Sequence, residues 1–238
     1  MNEREQADAY ARYFRKKLGK ENVFFNVGVD EHGRMDLADI EALLETGDVG
    51  TIVATIGNTG LGAVDRLPEI LELASRYGAR VHADAAYGGY FGLANELREE
   101  TRRTYDRLVD VDSIVVDPHK HGLQPYGCGC VLFKDPAVGK FYKHDSPYTY
   151  FSSSELHLGE ISLECSRPGA AAVGLWATLR LMPLVKSGEF AGDLARCRDA
   201  ACDLFQRLKD DNRFLTVFPP ELDIIVWAPR ASKSSTIS

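Results

Sequence analysis

The chain has 238 residues, 45% of them hydrophobic and 26% charged, which is the composition of a folded protein with a sizeable core and excludes disordered, collagenous and low-complexity classes. Its 35 acidic and 28 basic residues give a net charge of −7, without the basic excess that binding a phosphate backbone draws on, so nucleic acid is not an expected partner. Five scattered cysteines point to a reducing compartment with free thiols, and the cytoplasm is the expected location. The N-terminus lacks a signal-peptide pattern, and no stretch reaches the ~20 apolar residues of a membrane span.

In chain order, Ala9, Tyr10, Tyr13, Phe14 and Leu18 recur at helical spacing and predict a helix over 4–18 with Gly19 as its C-cap. A strand is expected over 23–27. Asp36 then caps a helix with Leu37, Ile40, Leu43 and Leu44 on its inner face, and 51–55 reads as a buried strand. The alternation continues with a helix over 65–77, Pro68 in its first turn, and a strand over 80–83. An amphipathic segment at about 95–109 and strands at 113–117 and 129–133 complete the pattern. Such alternation means βαβ units and a mainly parallel sheet covered on both faces.

After Lys134 the character changes. A Tyr/Ser-rich loop at 145–160 is followed by a helix of small residues over 168–184, a long helix over about 189–210, and an apolar strand over 222–228. The division expected is a large domain over 1–210 and the beginning of a small C-terminal domain over 211–238, whose last residues, 231–238, form a polar tail.

Ligands of open α/β sheets bind beyond the carboxyl ends of the strands, which directs attention to three turns. These are Gly57-Asn58-Thr59-Gly60, Asp84-Ala85-Ala86-Tyr87-Gly88-Gly89 and Asp117-Pro118-His119-Lys120-His121-Gly122. An aspartate at one strand end, a lysine at another and small residues beside the aspartate suit a flat aldehyde cofactor with a ring nitrogen. Pyridoxal phosphate is such a cofactor: the lysine forms its Schiff base, and the carboxylate keeps the ring nitrogen protonated. Taken singly, a strand-end aspartate is commonly a cap or turn residue and a lone lysine a solvated one.

The three motifs together, with Lys120 lying 36 positions after Asp84, resemble the group II pyridoxal-phosphate-dependent amino-acid decarboxylases. That family includes the aromatic amino-acid, tyrosine and glutamate decarboxylases. The resemblance runs from about residue 23 to 228 and implies a sheet of the aspartate aminotransferase-like type, an amino-acid substrate and a homodimer. Residue by residue, it implies that Lys120 is the Schiff-base lysine and Asp84 the partner of the ring nitrogen. Ala86 packs on one face of the ring, Thr59 lies near it, and His119 contacts cofactor phosphate or substrate. The loop Asp145-Ser146-Pro147-Tyr148-Thr149-Tyr150 resembles the family's mobile loop, with Tyr148 favoured over Tyr150 as the acid that protonates the carbanion after carbon dioxide leaves.

Departures accompany these matches. Family members are nearly twice as long, and their dimerisation segment, small-residue phosphate loop and ring-stacking histidine are not recognisable here, so the chain reads as a fragment. Ser166-Arg167-Pro168-Gly169 resembles the related phospholyases as much as the decarboxylases, which leaves a carbon–carbon lyase of the sphingosine-phosphate lyase type as an alternative. A truncated chain without catalysis is the other. Cys128-Gly129-Cys130 lacks the second pair that would complete a zinc site, and no metal is expected.

Overall fold

The computed structural model describes residues 24–141 and 169–230, so the helix expected over 4–18 and the loop at 145–160 lie outside the described residues. Where the sequence offers clean start and stop signals, the elements form as expected. Asp36 caps helix α1 (Leu37–Glu45) by accepting the backbone N–H groups of Ala38 and Asp39, and Ile40 and Leu44 turn inward. Strand β1 (Thr51–Thr55) leads into α2 (Leu67–Tyr77), which carries Pro68 in its first turn and ends at Gly78 with φ 73°. Strand β2 (Arg80–Asp84) follows, then helix α3 (Glu99–Asp106) and strand β3 (Ser113–Val116).

The sheet order is β1-β2-β3-β4, with β4 spanning Cys130–Phe133. The first three strands are parallel and β4 runs antiparallel to β3, giving the mainly parallel sheet expected. Side chains alternate across it. Ile52, Ala54, Val81 and Ala83 join Ile40, Leu44, Ile70 and Leu73 in the core, so α1 and α2 supply the cover on that face. The expectation of a sheet buried on both faces is corrected here, because Val53 and Val131 on the opposite face are half exposed.

Helix α4 (Ala170–Leu181) is shorter than expected, whereas α5 (Glu189–Asp210) matches its expected bounds. Phe190 at the start of α5 meets the Tyr90 ring at 5.4 Å, docking the helix on the short turn of 3-10 helix at Gly89–Leu93. A second, two-stranded antiparallel sheet pairs β5 (Phe214–Thr216) with β6 (Trp227–Pro229).

Three expectations fail, one for want of a pairing strand and two because a distant partner outweighs local pattern. No strand forms at 24–27: those residues join no ladder, and Phe24 is largely exposed. The helix expected from residue 65 begins only at Leu67, because the Asp65 carboxylate is buried and accepts the backbone N–H groups of Met35 (2.7 Å) and Thr55 (2.6 Å). The strand expected over 222–228 is irregular until Trp227. Its first residues are instead inserted among the loops at the carboxyl ends of β1 to β3.

That insertion is tightly fitted. Leu222 is completely buried, and its Cδ1 lies 2.6 Å from where a side chain on Gly57 would begin. At Gly88 a Cβ would fall 2.2 Å from the Ile56 carbonyl oxygen, so only glycine permits this approach. Glu221 accepts from the Val64 N–H and the Thr101 hydroxyl, while the carbonyls of Pro220 and Glu221 accept from Arg98 and Arg198.

Burial raises the pKa values of both Asp65 and Glu221, more than their hydrogen bonds lower them. A carboxyl that protonates more readily when folded contributes stability that is complete below its unfolded pKa and is lost as pH rises through its folded one. Replacing Glu221 by Gln retains the amide-to-oxygen contact without the buried charge. Denaturant titrations from about pH 4.5 to about pH 7.5 are expected to show Glu221→Gln losing less stability than wild type across that range.

Candidate active site

The three turns singled out in the sequence follow β1, β2 and β3, and the parallel register sets two of them side by side. Thr55 pairs with Asp84, and Asp84 with Val115, so Asp84 ends β2 between its two neighbours. Beyond the ladder the connection continues. The Ala85 N–H donates to the Val115 carbonyl at 3.0 Å, and the Asp117 N–H to the Ala86 carbonyl at 3.2 Å. The loops carrying Asp84 and Lys120 are therefore stitched backbone to backbone.

Asp84 and His82 point to the sheet face opposite the α1 and α2 core, where the His82 Nδ1 meets the Ser113 hydroxyl at 2.7 Å. One Asp84 oxygen accepts the Ala86 N–H at 3.1 Å; the other has no partner among the described residues. Ala86 itself adds only a methyl group beside it. Lys120 closes a turn through its N–H to the Asp117 carbonyl, and its Nζ lies 3.2 Å from Asp117 Oδ2. The lysine side chain remains one-third exposed, against 18% for that aspartate.

His119 is fixed differently. Its Nδ1 lies 2.8 Å from the Cys128 carbonyl, which can only accept, so Nδ1 carries the proton and Nε2 faces Asp117 Oδ2 at 3.8 Å. The Tyr126 ring stands against the imidazole at 5.1 Å. Gln124 anchors the far side of the loop by donating to the Thr178 hydroxyl of α4 at 2.7 Å.

Of the residues chosen from sequence, Asp84, Ala86, His119 and Lys120 come together at the ends of β2 and β3. Thr59 does not join them: it sits exposed in the turn after β1, with no hydrogen bond to the other four. Tyr148 and Arg167 lie outside the described residues. Among the described residues no group of three or more His, Cys, Asp or Glu side chains is arranged to hold a metal ion.

The structure adds residues that the sequence reading left unused. His121, next to Lys120, places Nδ1 at 3.0 Å from the Tyr87 carbonyl and Nε2 at 3.2 Å from Asp223 Oδ2, while the Tyr87 hydroxyl donates to Asp223 Oδ1 at 2.8 Å. His121 was visible beside the lysine. Asp223, within an apolar run that reads as a strand, gave no local signal.

With the geometry in place, similarity to known proteins bears directly on it. The pyridoxal-dependent decarboxylase conserved domain matches residues 12–228. The chain belongs to the pyridoxal-dependent decarboxylase family. The L-aspartate/L-glutamate decarboxylase of Pyrococcus horikoshii is 34% identical over 147 residues, covering 61% of this chain and 37% of that protein. The probable L-tyrosine/L-aspartate decarboxylase of Methanothermobacter thermautotrophicus is 29% identical over 204 residues, or 84% of this chain and 52% of that one. The crystal structure of mouse CSAD in apo form superimposes with a TM-score of 0.76 at 22% identity, covering 94% of this chain and 48% of that one, which shows the shared fold. The chain thus spans about half the length of these proteins or less.

The residues present fit the family's cofactor. A carboxylate with one open oxygen, a methyl-sized neighbour and a partly exposed lysine amine are the donor set that a pyridinium ring and an aldehyde require. Gly122 keeps the lysine loop in shape, since a Cβ there would lie 2.6 Å from the Pro118 Cα and 2.4 Å from the Tyr90 hydroxyl. Gly122→Ala is therefore expected to lower the thermal unfolding midpoint by roughly 5–10 °C, read by circular dichroism.

Proposed function

We propose that the chain binds pyridoxal phosphate through Lys120 and Asp84 and acts in the decarboxylation of an L-amino acid to the amine and carbon dioxide. The observation that carries this reading is the placement of Asp84 and Lys120 at adjacent parallel strand ends, held together by the Asp117-to-Ala86 hydrogen bond. The names of the relatives favour an acidic substrate or tyrosine.

When bound, pyridoxal phosphate supplies an aldehyde for the substrate amine and a protonated ring that takes up the electron pair left when carbon dioxide departs. The protein's part is placement and charge. Asp84 holds the proton on the ring nitrogen with its open oxygen, a task suited to a carboxylate already fixed by a backbone N–H. Ala86 offers a flat floor without side-chain bulk. Asp117 keeps the Lys120 amine oriented and, among the described residues, is the carboxylate paired with it, so a proton passing to or from Nζ has an acceptor 3.2 Å away. His119, its Nδ1 proton committed to Cys128, presents Nε2 to cofactor phosphate or to substrate. Tyr148 is the residue proposed to return a proton to the substrate carbon, and Thr59, exposed at the neighbouring end of β1 and unbonded to the other four, is proposed to approach the cofactor only when it is bound.

In this reading residues 1–210 form the cofactor domain and 211–238 begin a smaller one, which the separate β5-β6 ladder supports, while residues 220–224 cross back to pack among the loops of the first. The working form in this reading is a homodimer in the cytoplasm. Among the described residues no helix is long and apolar enough to cross a membrane.

Borohydride reduction of the chain mixed with pyridoxal phosphate, followed by peptide mapping, tests the proposal. One label on Lys120 is expected, and Lys120→Ala should abolish it along with carbon dioxide release from aspartate, glutamate or tyrosine. Labels scattered over exposed lysines would overturn it.

A further inference from the structure

The grouping of Tyr87, His121 and Asp223 lies outside the set of residues assigned to the chemistry, yet it adjoins both halves of the site. Tyr87 follows Ala86 on the loop after Asp84, and His121 follows Lys120. Asp223 arrives from the inserted segment, 102 residues from His121 and 136 from Tyr87. Its side chain and that of His121 are each 17% exposed, so these bonds are largely shielded from water.

The donor and acceptor inventory is restrictive. The Tyr87 carbonyl can only accept. The Asp223 carboxylate, already receiving the Tyr87 hydroxyl, accepts again from His121. Satisfying both neighbours takes a ring that donates from both nitrogens, an imidazolium paired with the carboxylate. Edge contacts from the Tyr87 ring (4.6 Å) and the Phe91 ring (5.0 Å) close the remaining sides. Among the described residues, the charged or titratable groups in this cluster are Asp223 from the inserted segment and the Tyr87 hydroxyl from the β2 loop, with Cys197 of α5 acting on that hydroxyl and Lys120 adjacent in the chain.

Resting on the proposed cofactor site, we propose that Asp223 is a positioning residue, which holds His121 as a two-donor ring and so fastens the Lys120 loop to the loop that follows Asp84. Asp223 acts through His121 and Tyr87, and need not touch the cofactor. Burial opposes its ionisation, but the hydrogen bonds from His121 and Tyr87 prevail and keep its carboxyl below the ordinary aspartate range. The same arrangement pushes the Tyr87 hydroxyl up, through burial first and the neighbouring carboxylate second.

Two readouts on the full chain test this. Nitrogen-15 NMR of the histidine rings, without cofactor, is expected to show both His121 nitrogens protonated in wild type and Nε2 deprotonated in Asp223→Asn. Borohydride trapping with pyridoxal phosphate is expected to fall about fivefold at Lys120 in Asp223→Asn and in His121→Asn, with partial recovery in Asp223→Glu. Glu221→Gln, which alters the same segment but not this pair, should change neither. Equal effects from Glu221→Gln, or an unaltered His121 ring in Asp223→Asn, would overturn the inference. Should Asp223→Asn fail to fold, wild-type trapping in His121→Asn would overturn it equally. Absence of Lys120 labelling in wild type would instead defeat the proposed function, and the ring spectra would still decide the role of Asp223.

Discussion

A short stretch of irregular chain, residues 220–224, is the constraint on which the rest of this structure depends. Loops at the carboxyl ends of parallel strands leave polar backbone groups and small-residue gaps that a sheet ladder cannot serve. Here a single segment serves them: Glu221 takes the Val64 N–H and the Thr101 hydroxyl, Leu222 fills the space beside Gly57 and Gly88, and Asp223 receives Tyr87 and His121. The charge states of the two acids respond oppositely, since Glu221 has neutral or backbone donors and Asp223 faces an imidazole.

The loops so braced hold the chemical groups at fixed distances. Asp84 and Lys120 are not hydrogen-bonded to one another; what relates them is backbone, through the Ala85-to-Val115 and Asp117-to-Ala86 contacts. Backbone contacts of this kind persist whatever the side chains do, which suits the proposed role of Lys120, a side chain that would have to change partners. The side chains around it divide the work: Asp117 stands next to the amine, whereas His119 is tied to the Cys128 carbonyl and contributes orientation.

Much of this was legible in the sequence because it is local. Short apolar runs mark β1 and β2, Asp36 and Pro68 mark helix starts, and the clustering of Asp84, Ala86 and Lys120 after strands marks the candidate site. What escaped reading is non-local. Asp65 reads as the first residue of a helix, yet Met35 and Thr55 claim both its oxygens. Leu222, Ile224, Ile225 and Val226 have strand composition, but the first of them is needed as a plug and Ile224 packs over Gly62. The residues at 24–27 show the converse: an apolar run is a strand only where a neighbouring strand accepts its hydrogen bonds. Val53 and Val131 likewise show that apolar residues in a strand do not ensure burial of their face.

The distance in sequence between the inserted segment and its partners has a consequence for how the molecule is made. Contacts of Val64 with Glu221 span 157 positions and those of Tyr87 with Asp223 span 136, while the β1-α2-β2 unit closes over fewer than forty. Chain synthesis delivers the sheet early and its keystone late, and closing such long loops is entropically slow compared with forming the βαβ units. During that interval the strand-end loops, with Asp84 and Lys120 already emerged, stand without their bracing. A nascent chain is therefore able to own every residue of the site well before it owns the site.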